Sequence, residues 1–189
     1  AGTDTVKINI DTITLSTYSL TSIEVVQGEA TAGAALVLNA DAQTGLATVT
    51  LVENNTDNFD LTASNLAAGV NVVLLSNIDS GNQNIGDVTL SLKDASGSSD
   101  TLSVTLQGTS GHAAADNLID LITVANIETL ALISGNAGTA LLSTDTNTIT
   151  SIASDTTLTT ITASGSDALS FTLSGAETNL ATINASAMT

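Results

Sequence analysis

Ser99-Asp100-Thr101-Leu102-Ser103-Val104-Thr105-Leu106-Gln107-Gly108 and Ser166-Asp167-Ala168-Leu169-Ser170-Phe171-Thr172-Leu173-Ser174-Gly175 follow one pattern, S-D-x-L-S-x-T-L-x-G. Each comes after a turn-forming stretch, Gly97-Ser98 in the first and Gly165 in the second. In both, apolar residues fall at every second position. Successive strand side chains point to opposite faces, so this period marks a strand with one buried face. The two copies read as one supersecondary unit used twice.

The same alternation extends in both directions. Val6, Ile8 and Ile10 alternate, as do Ile13 and Leu15, Leu36 and Leu38, and Val49 and Leu51. Val88, Leu90 and Leu92 follow, then Leu130 and Leu132. Gly, Asn, Asp and Ser break the runs, as turns require. Only residues 65–69 and part of 113–121 read as helical. Residues 87–93 and 100–107, joined by 94–99, read as an antiparallel hairpin.

A second, looser pattern is L-x-x-I, at Leu20–Ile23, Leu46–Val49, Ile127–Leu130, Ile149–Ile152, Leu158–Ile161 and Leu180–Ile183. A step of 22 residues separates Ile127 from Ile149 and Leu158 from Leu180, whereas 26 separate Leu20 from Leu46. A unit of about 20 residues is what one rung of a parallel β-solenoid needs, because each rung buries its inner face only against its neighbours. The expected fold is therefore all-β, of β-solenoid-like stacked strands, with a β-sandwich-like N-terminal part as an option. The Gly/Ser/Ala cluster at 108–115 places a soft boundary between residues 1–112, sandwich- or solenoid-like, and 113–189, solenoid-like.

Composition agrees with a repetitive core. Of 189 residues, 42% are hydrophobic but only 2% aromatic: Tyr18, Phe59 and Phe171. Leu, Ile, Val and Ala must then fill the interior, each fully buried larger aliphatic contributing about 1.5–3 kcal/mol. Cysteine and proline are absent. Nineteen acids against two lysines, Lys7 and Lys93, give a net charge of −17. That excludes a nucleic-acid binder, which needs a basic surface, and disfavours anionic membranes and acidic polysaccharides. It also sets up self-repulsion that cations or salt would offset. No stretch approaches the ~20 apolar residues of a membrane helix, so no membrane insertion is expected; the longest aliphatic stretches are 70–75 and 118–124. The N-terminal end reads as a cut from something longer or as a processed mature end, and the C-terminal end, Ala187-Met188-Thr189, stops inside a patterned segment.

Gly97-Ser98-Ser99-Asp100-Thr101-Leu102, Asn126-Ile127-Glu128-Thr129-Leu130 and Leu180-Ala181-Thr182-Ile183-Asn184-Ala185-Ser186 resemble the strand repeats of Gram-negative surface-layer proteins and RTX-type secreted adhesins. The resemblance covers most of residues 86–189. It implies a calcium-dependent, secreted protein that assembles on the cell surface. The glycine-rich G-G-x-G-x-D metal repeat of those families does not occur here.

Catalytic chemistry finds little support. The single histidine, His112, lies in Gly-Ser-Gly-His-Ala-Ala-Ala, without the nucleophile elbow that would pair it with a serine. Glycosidase carboxylates would need sugar-stacking aromatics, and a lyase a basic cluster beyond Lys7 and Lys93. The chain is expected not to be an enzyme. Calcium takes six to eight oxygen ligands, which turns rich in Asp, Asn, Gly and Ser can provide. The candidate ligands are Asp94 and Asp100 bracketing one loop, Asp57 and Asp60 around Asn58, Asp116 with Asp120, Asp167 as the repeat partner of Asp100, and Glu24 and Glu128 in matching Ile-Glu contexts. Each of these acids can equally serve to solvate a turn. Asn54-Asn55-Thr56 and Asn184-Ala185-Ser186 match the N-glycosylation pattern. The expected role is a structural self-assembling module of an extracellular, cell-surface layer, its partner a second copy of itself; the alternative is a calcium-dependent adhesin or module binding a cell-surface glycan.

Overall fold

The computed structural model describes residues 2–9, 12–14, 20–30, 35–53, 58–76, 83–94, 96–108, 117–135, 146–175 and 177–189. Fifteen strands are found among them. In chain order they are β1 (Thr5–Asn9), β2 (Thr12–Thr14), β3 (Val25–Ala30), β4 (Ala35–Asn39), β5 (Thr48–Glu53), β6 (Phe59–Leu66), β7 (Asn71–Ser76) and β8 (Gln83–Leu92). They continue as β9 (Thr101–Gly108), β10 (Asn117–Ala125), β11 (Thr129–Ser134), β12 (Thr146–Ser154), β13 (Thr160–Gly165), β14 (Ala168–Leu173) and β15 (Thr182–Met188). One turn of 3-10 helix covers Ala40–Ala42.

Odd-numbered strands form one eight-stranded sheet and even-numbered strands a second, seven-stranded sheet, each ordered as in the sequence. Every pairing is parallel. Each coil thus lays one strand on each sheet, as in a two-sheet β-solenoid. A coil takes about 20 residues from Thr5 to its neighbour Val25, and about 32 from Asn71 to Ser103. The extra length lies in the connections, because a stack fixes strand register and leaves loop length free.

Stacking explains the composition. Equivalent residues of successive coils lie side by side, so the core consists of columns of similar size. One column runs Val26, Val49, Val72, Val104, Leu132. The facing sheet carries Leu36, Leu61, Val88, Ile122, Ile152. All ten are fully buried. A further column, Phe59-Ile85-Ile119-Ile149-Phe171, has the chain's two phenylalanines at its ends. Gly28 stands across from Leu36, whose Cδ2 would lie 2.8 Å from any Cβ there.

The L-x-x-I pattern is mostly the coil repeat. Ile127 and Leu158 are buried under the corner that precedes consecutive odd strands, with Leu180 at the next corner. Leu130, Ile161 and Ile183 align in register in those strands. Ile149–Ile152 lies instead in β12 of the other sheet, so its spacing of 22 from Ile127 is not a coil step. The S-D-x-L-S-x-T-L-x-G copies likewise fall in opposite sheets, on β9 and β14. What repeats there is the grammar of a corner plus a half-buried strand.

The expected hairpin does not form. β8 pairs with β6 and β10, and β9 with β7 and β11. β8 and β9, consecutive in the chain, lie in opposite sheets. Alternation reports a buried face but not which sheet supplies the partner. The helical stretches are also overturned. Asn65 (φ 56°) and Gly69 (φ 87°) hold left-handed backbone that no α-helix accommodates, and 117–121 begins β10; residues 113–116 lie outside the described residues. Both sheets run on across positions 112 and 113, β9 pairing with β11 and β8 with β10.

A buried polar network links three strands. Asn147 Oδ1 accepts from the Asn117 backbone N–H (3.1 Å) and from Asn117 Nδ2 (2.9 Å), and Asn147 Nδ2 donates to Ser134 Oγ (2.9 Å). Asn117 and Ser134 are fully buried and Asn147 nearly so. Inside an apolar stack such bonds penalise any slip of register.

Candidate functional site

The corners leading from even to odd strands form one edge of the solenoid, and most of the chemistry-bearing residues stand there. Backbone amides that turn out of the ladders at a corner need acceptors. Side chains of the following coil supply them. Glu24 Oε2 accepts from Asp4 N (2.8 Å), Gln43 Oε1 from Leu20 N (2.8 Å) and Glu128 Oε2 from Asp100 N (2.7 Å). Asp155 Oδ2 accepts from Asn126 N (2.7 Å) and Glu177 Oε1 from Ser154 N (3.2 Å). Bonds from N–H groups to carboxylates are charge-assisted and stronger than neutral ones.

The matching Ile-Glu contexts now have a structural meaning. Asp4 O accepts from Glu24 N and Val25 N, and Asp100 O from Glu128 N and Thr129 N. Asp4–Glu24 and Asp100–Glu128 are therefore the same pair of corner positions in consecutive coils. At each, acidic residues of neighbouring coils occupy the same corner.

Asp94 and Asp100 share one shallow pocket of about 410 Å³, lined also by Ala67, Ala68, Lys93, Ser96 and Gly97. Asp94 Oδ1 accepts from Ser96 N (3.1 Å) and Ser96 Oγ (2.7 Å). These bonds, the side-chain one foremost, hold its carboxyl below the usual carboxylate range. The Asp100 carboxylate lies over Gly97, where a Cβ would come within 2.7 Å of it, and its Oδ2 is buried with no hydrogen-bond partner. Lys93 turns to Asp41 (2.5 Å), and Lys7 pairs with Glu29 (3.5 Å).

Glycine makes room for an acid at two further places. A Cβ on Gly86 would lie 2.2 Å from Asp60 Oδ1, which accepts from Asp87 N (2.8 Å). Asn58 Nδ2 donates to Asp120 Oδ2 (3.0 Å), so Asp60, Asn58 and Asp120 gather around Gly86 across three coils. Asp167, 7% exposed, packs on Gly135, whose φ is 91°. Asp57, Asp116 and His112 lie outside the described residues. Among the described residues, no three His, Cys, Asp or Glu side chains converge on one point.

Asp155 and Glu177 escaped the sequence reading. Burial pushes the Asp155 carboxyl up, but hydrogen bonds from Thr157 (side chain and backbone) and from the Asn126 amide outweigh it and hold the group low. Glu177 is likewise held low, bonds from Ser174 and from the amides of Ser154 and Gly175 outweighing burial. The available signal was position: each acid follows a strand end directly or within a few residues. Comparison with protein-family models, curated proteins and solved structures gave no match.

Proposed function

We propose that the chain is a structural, non-enzymatic module of a self-assembling extracellular array at a bacterial cell surface, with calcium as a stabilising ion. The observation that supports this reading is the investment of its acids in coil-to-coil bonds along one edge of a regular stack. A stack of eight parallel strands spans about 35 Å at ~4.8 Å per strand. Tied at its corners, it has the character of a rigid spacer.

The acid-rich corner at Asp94, Asp100 and Glu128 supports the calcium part. The buried Asp100 Oδ2 lacks a donor, and a hard cation is a suitable partner for such an oxygen. Asp100 and Glu128 would hold the ion, with Asp94 across the same pocket. Calcium there would neutralise two corner carboxylates of a chain carrying −17.

Small-angle scattering against protein concentration, with calcium and with chelator, tests the reading. Calcium-dependent growth of the particle is the expected result. A monomer that stays single in calcium yet binds cell-surface glycan would establish the adhesin alternative instead.

A further inference from the structure

Lys93 stands between two sets of acids. It follows β8 directly, and its backbone N–H donates to Leu66 O on the neighbouring coil (2.9 Å). Its ammonium reaches past that coil to Asp41, in the 3-10 turn after β4, at 2.5 Å. β6 lies between β4 and β8 in the even sheet, so the ion pair spans one whole coil. The turn that carries Asp41 is tied to β6 as well. Asn39 Oδ1 accepts both from the Asp41 backbone N–H (3.0 Å) and from Asn65 Nδ2 (2.9 Å). Yet Lys93 also lines the pocket of Asp94 and Asp100, to which Asp41 contributes nothing. Both side chains of the ion pair are more than half exposed.

We infer that the Asp41–Lys93 pair regulates calcium binding at the corner of Asp94, Asp100 and Glu128: Lys93 competes with the ion for the acid pocket, and Asp41 is the latch that holds it aside. The inference rests on the calcium reading of that corner. A lysine carries a compact charge and three donors on a flexible four-carbon stem, so one residue can serve either Asp41 or the pocket. In the pocket its ammonium meets the buried Asp100 Oδ2, which has no hydrogen-bond partner. No other cation of the chain is available for this, because Lys7 pairs with Glu29 and arginine is absent. Calcium and the ammonium repel each other and cannot share the pocket. The apparent calcium affinity therefore scales with the fraction of molecules in which Lys93 is latched aside.

The balance between the two positions is fine enough to be moved. An exposed ion pair is weak and screened by salt, which suits a reversible latch. Asp94 Oδ1 already accepts two bonds from Ser96, so its pull on the ammonium is reduced. Asp41 has its backbone held and its carboxylate turned to Lys93. The latch closes only when the coils of β4, β6 and β8 are stacked. The corner is thus open to calcium only in the folded stack, and its affinity depends on a coil that gives the pocket no ligand.

Calorimetric titration of the whole chain with calcium chloride at low ionic strength tests this in a double-mutant cycle. Asp100→Asn identifies the heat that belongs to the corner. Asp41→Asn should weaken binding there about two- to fivefold, the range an exposed ion pair spans. The same change on a Lys93→Met background should have no effect, because no lysine remains to enter the pocket. A second readout follows the lysine itself. In Asp41→Asn, calcium should expel Lys93 and shift its side-chain NMR signals, which are readily assigned with Lys7 the only other lysine. In the parent chain the shift should be much smaller. An Asp41→Asn effect of equal size on both backgrounds, or of none on either, would overturn the latch and leave the calcium reading standing. Absence of Asp100-dependent binding in every variant removes the calcium reading of the corner, and the latch with it.

Discussion

Glu128 accepts a 2.7 Å hydrogen bond from the backbone amide of Asp100, the residue at the same corner one coil earlier. The bond joins two acids that would otherwise only repel. It ties consecutive coils where the ladders are interrupted. Glu24 treats Asp4 in the same way (2.8 Å). Replacing Glu128 by Ala removes the acceptor and leaves the Asp100 amide to water, at an expected cost of about 1–2 kcal/mol. Glu128→Gln keeps an acceptor and removes one charge from a chain of net charge −17, so it should cost less than half as much. Urea unfolding of the two variants measures the difference.

Asp155 and Glu177 should make stability depend on acidity. Both carboxyls are held below their ordinary values in the folded chain. Their contribution is therefore complete above the unfolded carboxylate pKa of about 4 and is lost as pH falls through the lower folded values. Protonating the other acids relieves repulsion at the same time, so the informative quantity is a difference between proteins. The stability lost in Asp155→Asn and Glu177→Gln should be largest near neutral pH and shrink toward pH ~2–3. Thermal melts across that range read it out. A deficit that does not vary with pH would remove the electrostatic part of these bonds.

Gly165 pairs with Ser134 in the odd sheet at φ 119°, and a Cβ there would stand 1.9 Å from the Ser134 carbonyl oxygen. Backbone strain and overlap add, so Gly165→Ala should cost about 3 kcal/mol or more. Gly175 has φ 88° but nothing within 4 Å of its Cβ position. Gly175→Ala should therefore cost only about 1–2 kcal/mol. Chemical denaturation of both variants distinguishes packing from conformation.

Asn147→Ala strips the acceptor shared by two donors of Asn117 and the donor to Ser134, all within the buried stack. The expected loss is about 2–3 kcal/mol. Hydrogen exchange should show the increase in opening concentrated in β10, β11 and β12.

Strand content and the stacked architecture were legible because a one-sided strand must alternate, and a coil must repeat the sizes of its neighbours. Leu158 and Leu180, one coil apart in space, made that repeat visible. Sheet assignment was not legible: Leu102 and Leu169 occupy the same place in one motif yet lie in opposite sheets. For the acids, sequence located Asp94, Asp100 and Glu128 separately; only folding brings the first two to one pocket and puts Glu128 on the Asp100 amide. Asp155 and Glu177 drew no attention because their role depends on amides of the preceding coil, which no local pattern encodes.

Electron microscopy of the purified chain, with calcium and then with chelator, tests the proposed self-assembly most directly. Ordered arrays or filaments in calcium that dissolve on chelation are the expected result. Single particles of one size under both conditions would contradict it.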